Sequence, residues 1–222
     1  NTLYLPDWLD LDLQRSAIVH ELMHALQDQH IDLERYLEAA KDFDGFLARR
    51  ALIEGEAMLI QQLWLLHEQG GAVDVRAVIV DNLDQLALYR AVELFVGEPP
   101  LPEYLAQRQR VVFREGSAFL HALLTRRPWE WMATLYDTPP ESTAEILSPE
   151  SYLERHNSRR TLVLPNVSRF LGQAWEPVWE GTVGEWTIRY LLYGDAEGGD
   201  PVAMLGLSQP IGWSVDRCRV YR

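Results

Sequence analysis

Apolar residues recur every three or four positions over long stretches of the chain, which is the spacing of a helix face. The first such stretch begins at Asp10 or Asp12, both suitable N-caps, and runs to about Gln29. Its apolar residues surround more than one face, which is typical of a buried helix. A second long helix is predicted from Phe46 to Glu68, where a pair of glycines ends the pattern.

The rest of the chain alternates between shorter helical patterns and breaks. Further helices are predicted at Val73–Phe95, at Pro102–Leu124, and in a short segment that starts at the cap-like Ser142 or Thr143 and ends at Leu147. Strands are predicted at Thr2–Leu5, Arg160–Pro165 and Asp216–Tyr221, while Gly184–Tyr193 fits either a helix or a strand. We therefore expect a mainly α fold, α+β with minor β and short N- and C-terminal strands, in a single domain over residues 1–222.

The composition argues against several classes of function. The 222 residues carry 20 Lys+Arg against 33 Asp+Glu, a net charge of -13, so neither nucleic-acid binding nor a basic membrane-binding face is expected. No apolar run approaches the roughly 18 residues of a membrane span, so we expect no membrane insertion. A lone cysteine, Cys218, excludes an intrachain disulfide and leaves a cytoplasmic and an extracytoplasmic location both open. Because the chain starts at Asn1, we expect it to be a fragment of a longer protein.

An HExxH motif formed by His20, Glu21 and His24 is the strongest chemical signal in the sequence. Residues four apart lie on one face of a helix, so the two imidazoles can hold a single Zn²⁺. Glu21, beside the first histidine, is placed to accept a proton from a metal-activated water. Three fixed letters in five also arise by chance, so a structural helical domain with an accidental motif is the competing interpretation.

A catalytic zinc site of this type needs a third protein ligand. The better candidates are Glu54 and Glu56 on the second long helix, with Cys218 near the chain end as a weaker one. Two positions along a helix point to opposite sides, so only one of the two glutamates can face the metal. Gly55 and its small neighbours would let this helix approach the first one closely. Spacing alone leaves the choice between the two glutamates open.

These motifs resemble those of the gluzincin metallopeptidases, whose third zinc ligand is a glutamate on a second helix. Several gluzincin groups carry Glu-x-x-Ala there, often followed by Asp, and residues 54–57 match this pattern. The resemblance implies that Glu54 is the third ligand. The next residue is Met58 instead of Asp, so the usual partner of a ligand histidine is missing. Asp28, one turn after His24, is a candidate replacement.

A closer resemblance is to a little-described group of prokaryotic metallopeptidase-like proteins. They share HELxHALQDQHF, a downstream EGxA and a PPxSTxxIL segment, which are matched here by residues 20–30, 54–57 and 139–147. Short segments at 184–186, 212–213 and 216–217 are also similar. The resemblance covers most of the chain as separated motifs. It implies a helical zincin-like metallopeptidase domain that binds zinc and acts on a peptide or protein substrate.

In the mechanism that this resemblance implies, His20, His24 and Glu54 hold Zn²⁺ while Glu21 acts as the general base in peptide-bond hydrolysis. A further donor should stabilise the oxyanion, and Tyr152 is chosen because it follows the PPxST segment. Other candidate donors are Tyr136, His121 and His156. The alternative function is a non-catalytic metal-binding helical protein with a degenerate peptidase site.

Overall fold

The structure is a computed structural model that describes residues 5, 7, 11–79, 103–154, 162–172, 175–193 and 215–222. These ranges are mainly helical, as predicted, and contain one small antiparallel sheet of two strands. The chain divides into two compact units, formed by residues 1–39 with 49–139 and by residues 40–48 with 140–222. A single domain over residues 1–222 stays a prediction. Among the described helices, none is long and apolar enough to cross a bilayer.

Helices build the first unit. They are α1 (Leu11–Ile31), α2 (Leu33–Glu38), the larger part of α3 (Phe43–Glu68), α4 (Glu103–Arg110), α5 (Gly116–Leu124) and α6 (Met132–Asp137). A π-helical turn, Val111–Glu115, joins α4 to α5, and 3₁₀ turns cover Val75–Ala77 and Trp129–Trp131. The two long helices α1 and α3 begin and end within three residues of their predicted limits, because residues that cap or break a helix bound each of these apolar segments.

Helices α3 and α5 cross in backbone contact within the first unit, where their apolar residues form a common core. A Cβ atom at Gly55 would overlap the backbone of Gly116, and one at Gly116 would overlap the carbonyl group of Ala51. The close approach that Gly55 permits is therefore to α5, and not to the first helix as the sequence suggested. Fully buried residues around this crossing are Leu52, Leu59, Val111, Val112, Phe119, Leu120 and Leu123.

Two features of the first unit differ from the predictions. The exposed fractions of Leu22 and Leu26 are 57% and 46%, so α1 is apolar but not buried on every face. The helix predicted to start at Val73 does not begin there, and residues 75–77 form only a 3₁₀ turn. The carboxylate of Asp74 accepts a hydrogen bond from the amide of Arg76 at 2.9 Å, which stabilises a turn in place of a helix. The remainder of that prediction, and the strand predicted at 2–4, lie outside the described residues.

The second unit contains short elements around a two-stranded ribbon. They are α7 (Thr143–Leu147), α8 (Pro149–Leu153), α9 (Ser168–Leu171), β1 (Pro177–Gly181), α10 (Glu185–Tyr193) and β2 (Cys218–Tyr221). The strands are antiparallel, and Gly181 pairs with Cys218. The segment that fitted either structure is therefore a helix, α10, and the C-terminal strand is confirmed. The prediction of a strand at 160–165 is wrong for residues 162–165, and residues 160–161 lie outside the described part of the chain. The carbonyl oxygens of Leu164 and Pro165 accept hydrogen bonds from the guanidinium of Arg219 and not from a neighbouring strand.

A buried carboxylate, Asp44, joins separate segments of the second unit. Its Oδ1 accepts hydrogen bonds from the amide (3.1 Å) and the hydroxyl (2.6 Å) of Thr143, and that hydroxyl accepts one from the amide of Trp186. Gly184 has φ +90°, and a Cβ there would overlap the Asp44 carboxylate. Burial raises the pKa of Asp44 to about 7, although the Thr143 hydrogen bonds act to lower it. The PPxST segment and the motif at 184–186 therefore meet at Asp44 and have a structural role there.

Candidate metal centre

Two histidines of α1 and one glutamate of α3 direct their donor atoms at one another. Nε2 of His24 lies 3.0 Å from Nε2 of His20 and 3.1 Å from Oε2 of Glu54. Nε2 of His20 lies 3.3 Å from the same carboxylate oxygen. The cluster can hold a metal ion, and it consists of the three residues that the sequence analysis selected as ligands.

The spacing of these three atoms fits a tetrahedral ion. Ligands that lie 2.0–2.1 Å from Zn²⁺ at tetrahedral angles are about 3.3 Å from one another, and the three observed distances are 3.0, 3.1 and 3.3 Å. Two imidazoles and one carboxylate are also the donor set of a catalytic zinc site that keeps a fourth position open. The same donors suit other first-row transition ions, so the geometry selects a class of metal ion and not one element.

The electrostatics of the cluster favour a bound cation. Burial acts to raise the pKa of Glu54, but hydrogen bonds and positive charge from His20 and His24 outweigh it and hold the pKa at about 2. Burial acts to lower the pKa of His24, but the hydrogen bond and charge of Glu54 raise it above its ordinary value. The other oxygen of Glu54 lies 3.6 Å from the guanidinium of Arg50. An ionised carboxylate and two imidazoles therefore meet in a mostly buried site.

Glu56 belongs to a different set of contacts from Glu54. Its Oε2 accepts a hydrogen bond from Nε2 of Gln27 at 2.8 Å and another from the hydroxyl of Tyr136. Burial raises the pKa of Glu56 more than these two hydrogen bonds lower it. The two glutamates point to different sides of α3, as their spacing requires, and only Glu54 faces the histidines.

Gln27, which contacts a proposed ligand directly, was not among the site residues predicted from the sequence. Its Oε1 lies 2.8 Å from Nδ1 of His24, in the position that was assigned to Asp28. The carboxylate of Asp28 instead accepts a hydrogen bond from the amide of Leu33 at 3.1 Å, beyond the end of α1. The available signal was spacing, because a side chain three residues after His24 lies on the same face of the helix.

The proposed catalytic residues are placed as follows. Glu21 is exposed on α1, next to the buried His20. Tyr152 is buried in α8 of the second unit, and its role as oxyanion donor stays a prediction. The hydroxyl of Tyr136 donates a hydrogen bond to Glu56, and its role as that donor also stays a prediction. Nε2 of His121 is buried without a hydrogen-bond partner in the described part of the chain, and residue 156 lies outside that part.

Comparison with models of known protein families found no match. Comparisons with curated proteins and with solved structures found none either. The residues of the site and the motif resemblance are therefore the basis for a proposed function.

Proposed function

We propose that the protein is a zinc-dependent metallopeptidase in which His20, His24 and Glu54 hold the metal ion. The observation that carries this proposal is the convergence of three donor atoms, each within 3.3 Å of the other two, on two helices of one compact unit. The general base would be Glu21, which follows His20 directly on α1 and is exposed. The likeness of both motifs to those of gluzincin metallopeptidases supports the same assignment.

The proposed site residues have two roles in hydrolysis, which are metal binding and proton transfer. When bound, Zn²⁺ supplies a Lewis acid that polarises a carbonyl group and lowers the pKa of water to about 7. Burial acts to raise the pKa of Glu54, but its contacts with His20 and His24 hold it at about 2 in the metal-free protein, so this carboxylate is charged at neutral pH. Any proton on the metal-binding nitrogen of either histidine must leave before a metal ion binds. Glu21 accepts a proton from the attacking water and donates it to the leaving amine of a peptide or protein substrate.

Phe113 provides an apolar surface beside the proposed ligands. Its ring centre lies 6.0 Å from that of His20, and it belongs to the π-helical turn between α4 and α5. Single π turns occur often at functional sites, because the extra residue redirects a side chain. An apolar neighbour also strengthens the electrostatic contacts of the site by lowering the local dielectric constant.

Metal-dependent cleavage of an unfolded protein tests this function. We expect the purified protein to contain about one zinc per chain, to cleave casein, and to lose both zinc and activity after treatment with phenanthroline. Addition of zinc should restore the activity, and the non-chelating isomer of phenanthroline should have no effect. A protein that binds zinc but cleaves nothing would support the non-catalytic metal-binding alternative. A protein that neither contains nor takes up zinc would contradict both functions.

A further inference from the structure

The orientation of the Gln27 side-chain amide is determined by its surroundings. Its nitrogen, Nε2, lies 3.0 Å from the carbonyl oxygen of Ile53 and 2.8 Å from the carboxylate of Glu56. Both of these groups accept hydrogen bonds, so a rotated amide would place its oxygen against two acceptors. The hydroxyl of Tyr136 lies 2.9 Å from the same nitrogen and donates to Glu56. The amide oxygen must therefore face Nδ1 of His24.

This orientation determines which nitrogen of the neutral His24 carries the proton. Because Oε1 of Gln27 can only accept, the hydrogen bond of 2.8 Å requires a proton on Nδ1 of His24. The other ring nitrogen, Nε2, then presents a lone pair to His20 and Glu54. A lone pair on Nε2 is what a metal ion needs from a ligand histidine.

His20 has the opposite environment. Its Nδ1 is buried without a hydrogen-bond partner among the described residues. Its Nε2 faces two acceptors, the lone pair of His24 at 3.0 Å and Glu54 at 3.3 Å. In the neutral metal-free protein, a proton on Nε2 of His20 satisfies these contacts, and Nδ1 is left with a lone pair. A buried lone pair without a partner is less unusual than a buried N–H without one. The two histidines are therefore expected to hold opposite tautomers.

We infer that Gln27 is a positioning residue that sets the tautomer and ring orientation of His24, and that Glu56 and Tyr136 hold Gln27 in place. The role of this arrangement in metal binding rests on the proposed function. The tautomer of His24 does not, because it is a property of the metal-free protein. Met58, at the position where gluzincins often have Asp, is a buried apolar residue. His24 receives its acceptor from its own helix, as the neutral amide of Gln27.

The tautomers can be read directly from the ring nitrogen shifts of the histidines by NMR. In metal-free wild-type protein, at a pH well above the range in which histidine titrates, we expect His24 to carry its proton on Nδ1 and His20 on Nε2. Gln27→Leu should remove this preference from His24. The inference is overturned if wild-type His24 carries its proton on Nε2, or if Gln27→Leu leaves its tautomer unchanged.

Zinc affinity provides the second readout, with Gln61→Leu as a matched control. Gln61 is another buried glutamine of the first unit, seven residues or about 10 Å along α3 from Glu54. Removing a partner of a metal-binding histidine commonly weakens metal affinity about 10- to 100-fold, and we expect that loss for Gln27→Leu alone. If Gln27→Leu binds zinc as tightly as wild type while Glu54→Ala does not, the inference is wrong and the proposed function stands. If wild type binds no zinc, the proposed function fails, and the NMR measurement still decides the inference.

Discussion

Glu21→Gln is expected to lower the rate of peptide-bond hydrolysis by about 10²- to 10⁴-fold, the usual contribution of a general base. Glutamine has the shape of glutamate but cannot accept a proton from water at neutral pH. The side chain at position 21 is exposed, so the substitution should leave the fold unchanged. The measurement is kcat/KM for cleavage of an unfolded protein, together with the zinc content of each preparation.

A suitable control for that experiment is Glu34→Gln. Glu34 is also exposed, lies on α2 of the same unit, and has no place in the proposed site. We expect this variant to keep wild-type activity and zinc content. Equal activity of Glu21→Gln and wild type would contradict the mechanism, since proton transfer would then not depend on this carboxylate.

The second large effect is expected from Glu54→Ala, which removes a proposed metal ligand. Removal of a residue that hydrogen-bonds to a metal ligand commonly lowers metal affinity by up to about 100-fold. Loss of Glu54, which is itself a proposed ligand, should lower zinc affinity by more than that. Glu56→Ala should still bind zinc, with a smaller loss of affinity, because Glu56 contacts Gln27 and not the donor atoms of the histidines. Competition with a chromogenic chelator measures both affinities.

The order of the two affinities distinguishes the two glutamates. If Glu56→Ala lost zinc and Glu54→Ala kept it, the ligand assignment would be reversed. Far-UV circular dichroism of both variants should show wild-type helix content, because α3 is held by its apolar residues around the crossing with α5. A variant that lost its helices would have to be replaced by Glu54→Gln or Glu56→Gln, which keep the volume of the side chain.

Local sequence patterns were sufficient for the parts of the fold that local chemistry determines. Helices α1 and α3 were predictable because each is a segment of more than 20 residues that is rich in apolar residues and bounded by capping or helix-breaking residues. The pairing of His20 with His24 was predictable because residues four apart on a helix share a face. That only one of Glu54 and Glu56 can face these histidines follows from the same geometry. Spacing could not decide which, because that depends on how α3 is rotated against α1.

The other missed features depend on contacts between residues far apart in the chain. The partner of Gly55 is Gly116, sixty-one residues later, and no local pattern links them. Gln27 was missed because its role requires Ile53 and Glu56 to fix its amide, and Tyr136 joins them from α6. These contacts depend on tertiary packing, which sequence periodicity does not specify.

Anomalous diffraction at the zinc absorption edge, from crystals grown with zinc, tests the central claim most directly. We expect one strong peak about 2.0–2.2 Å from Nε2 of His20, Nε2 of His24 and a carboxylate oxygen of Glu54. The peak should disappear in data collected at an energy just below the zinc absorption edge, because only the anomalous scattering of zinc falls sharply there. A peak bound by other residues, or the absence of any peak in zinc-grown crystals, would contradict the account.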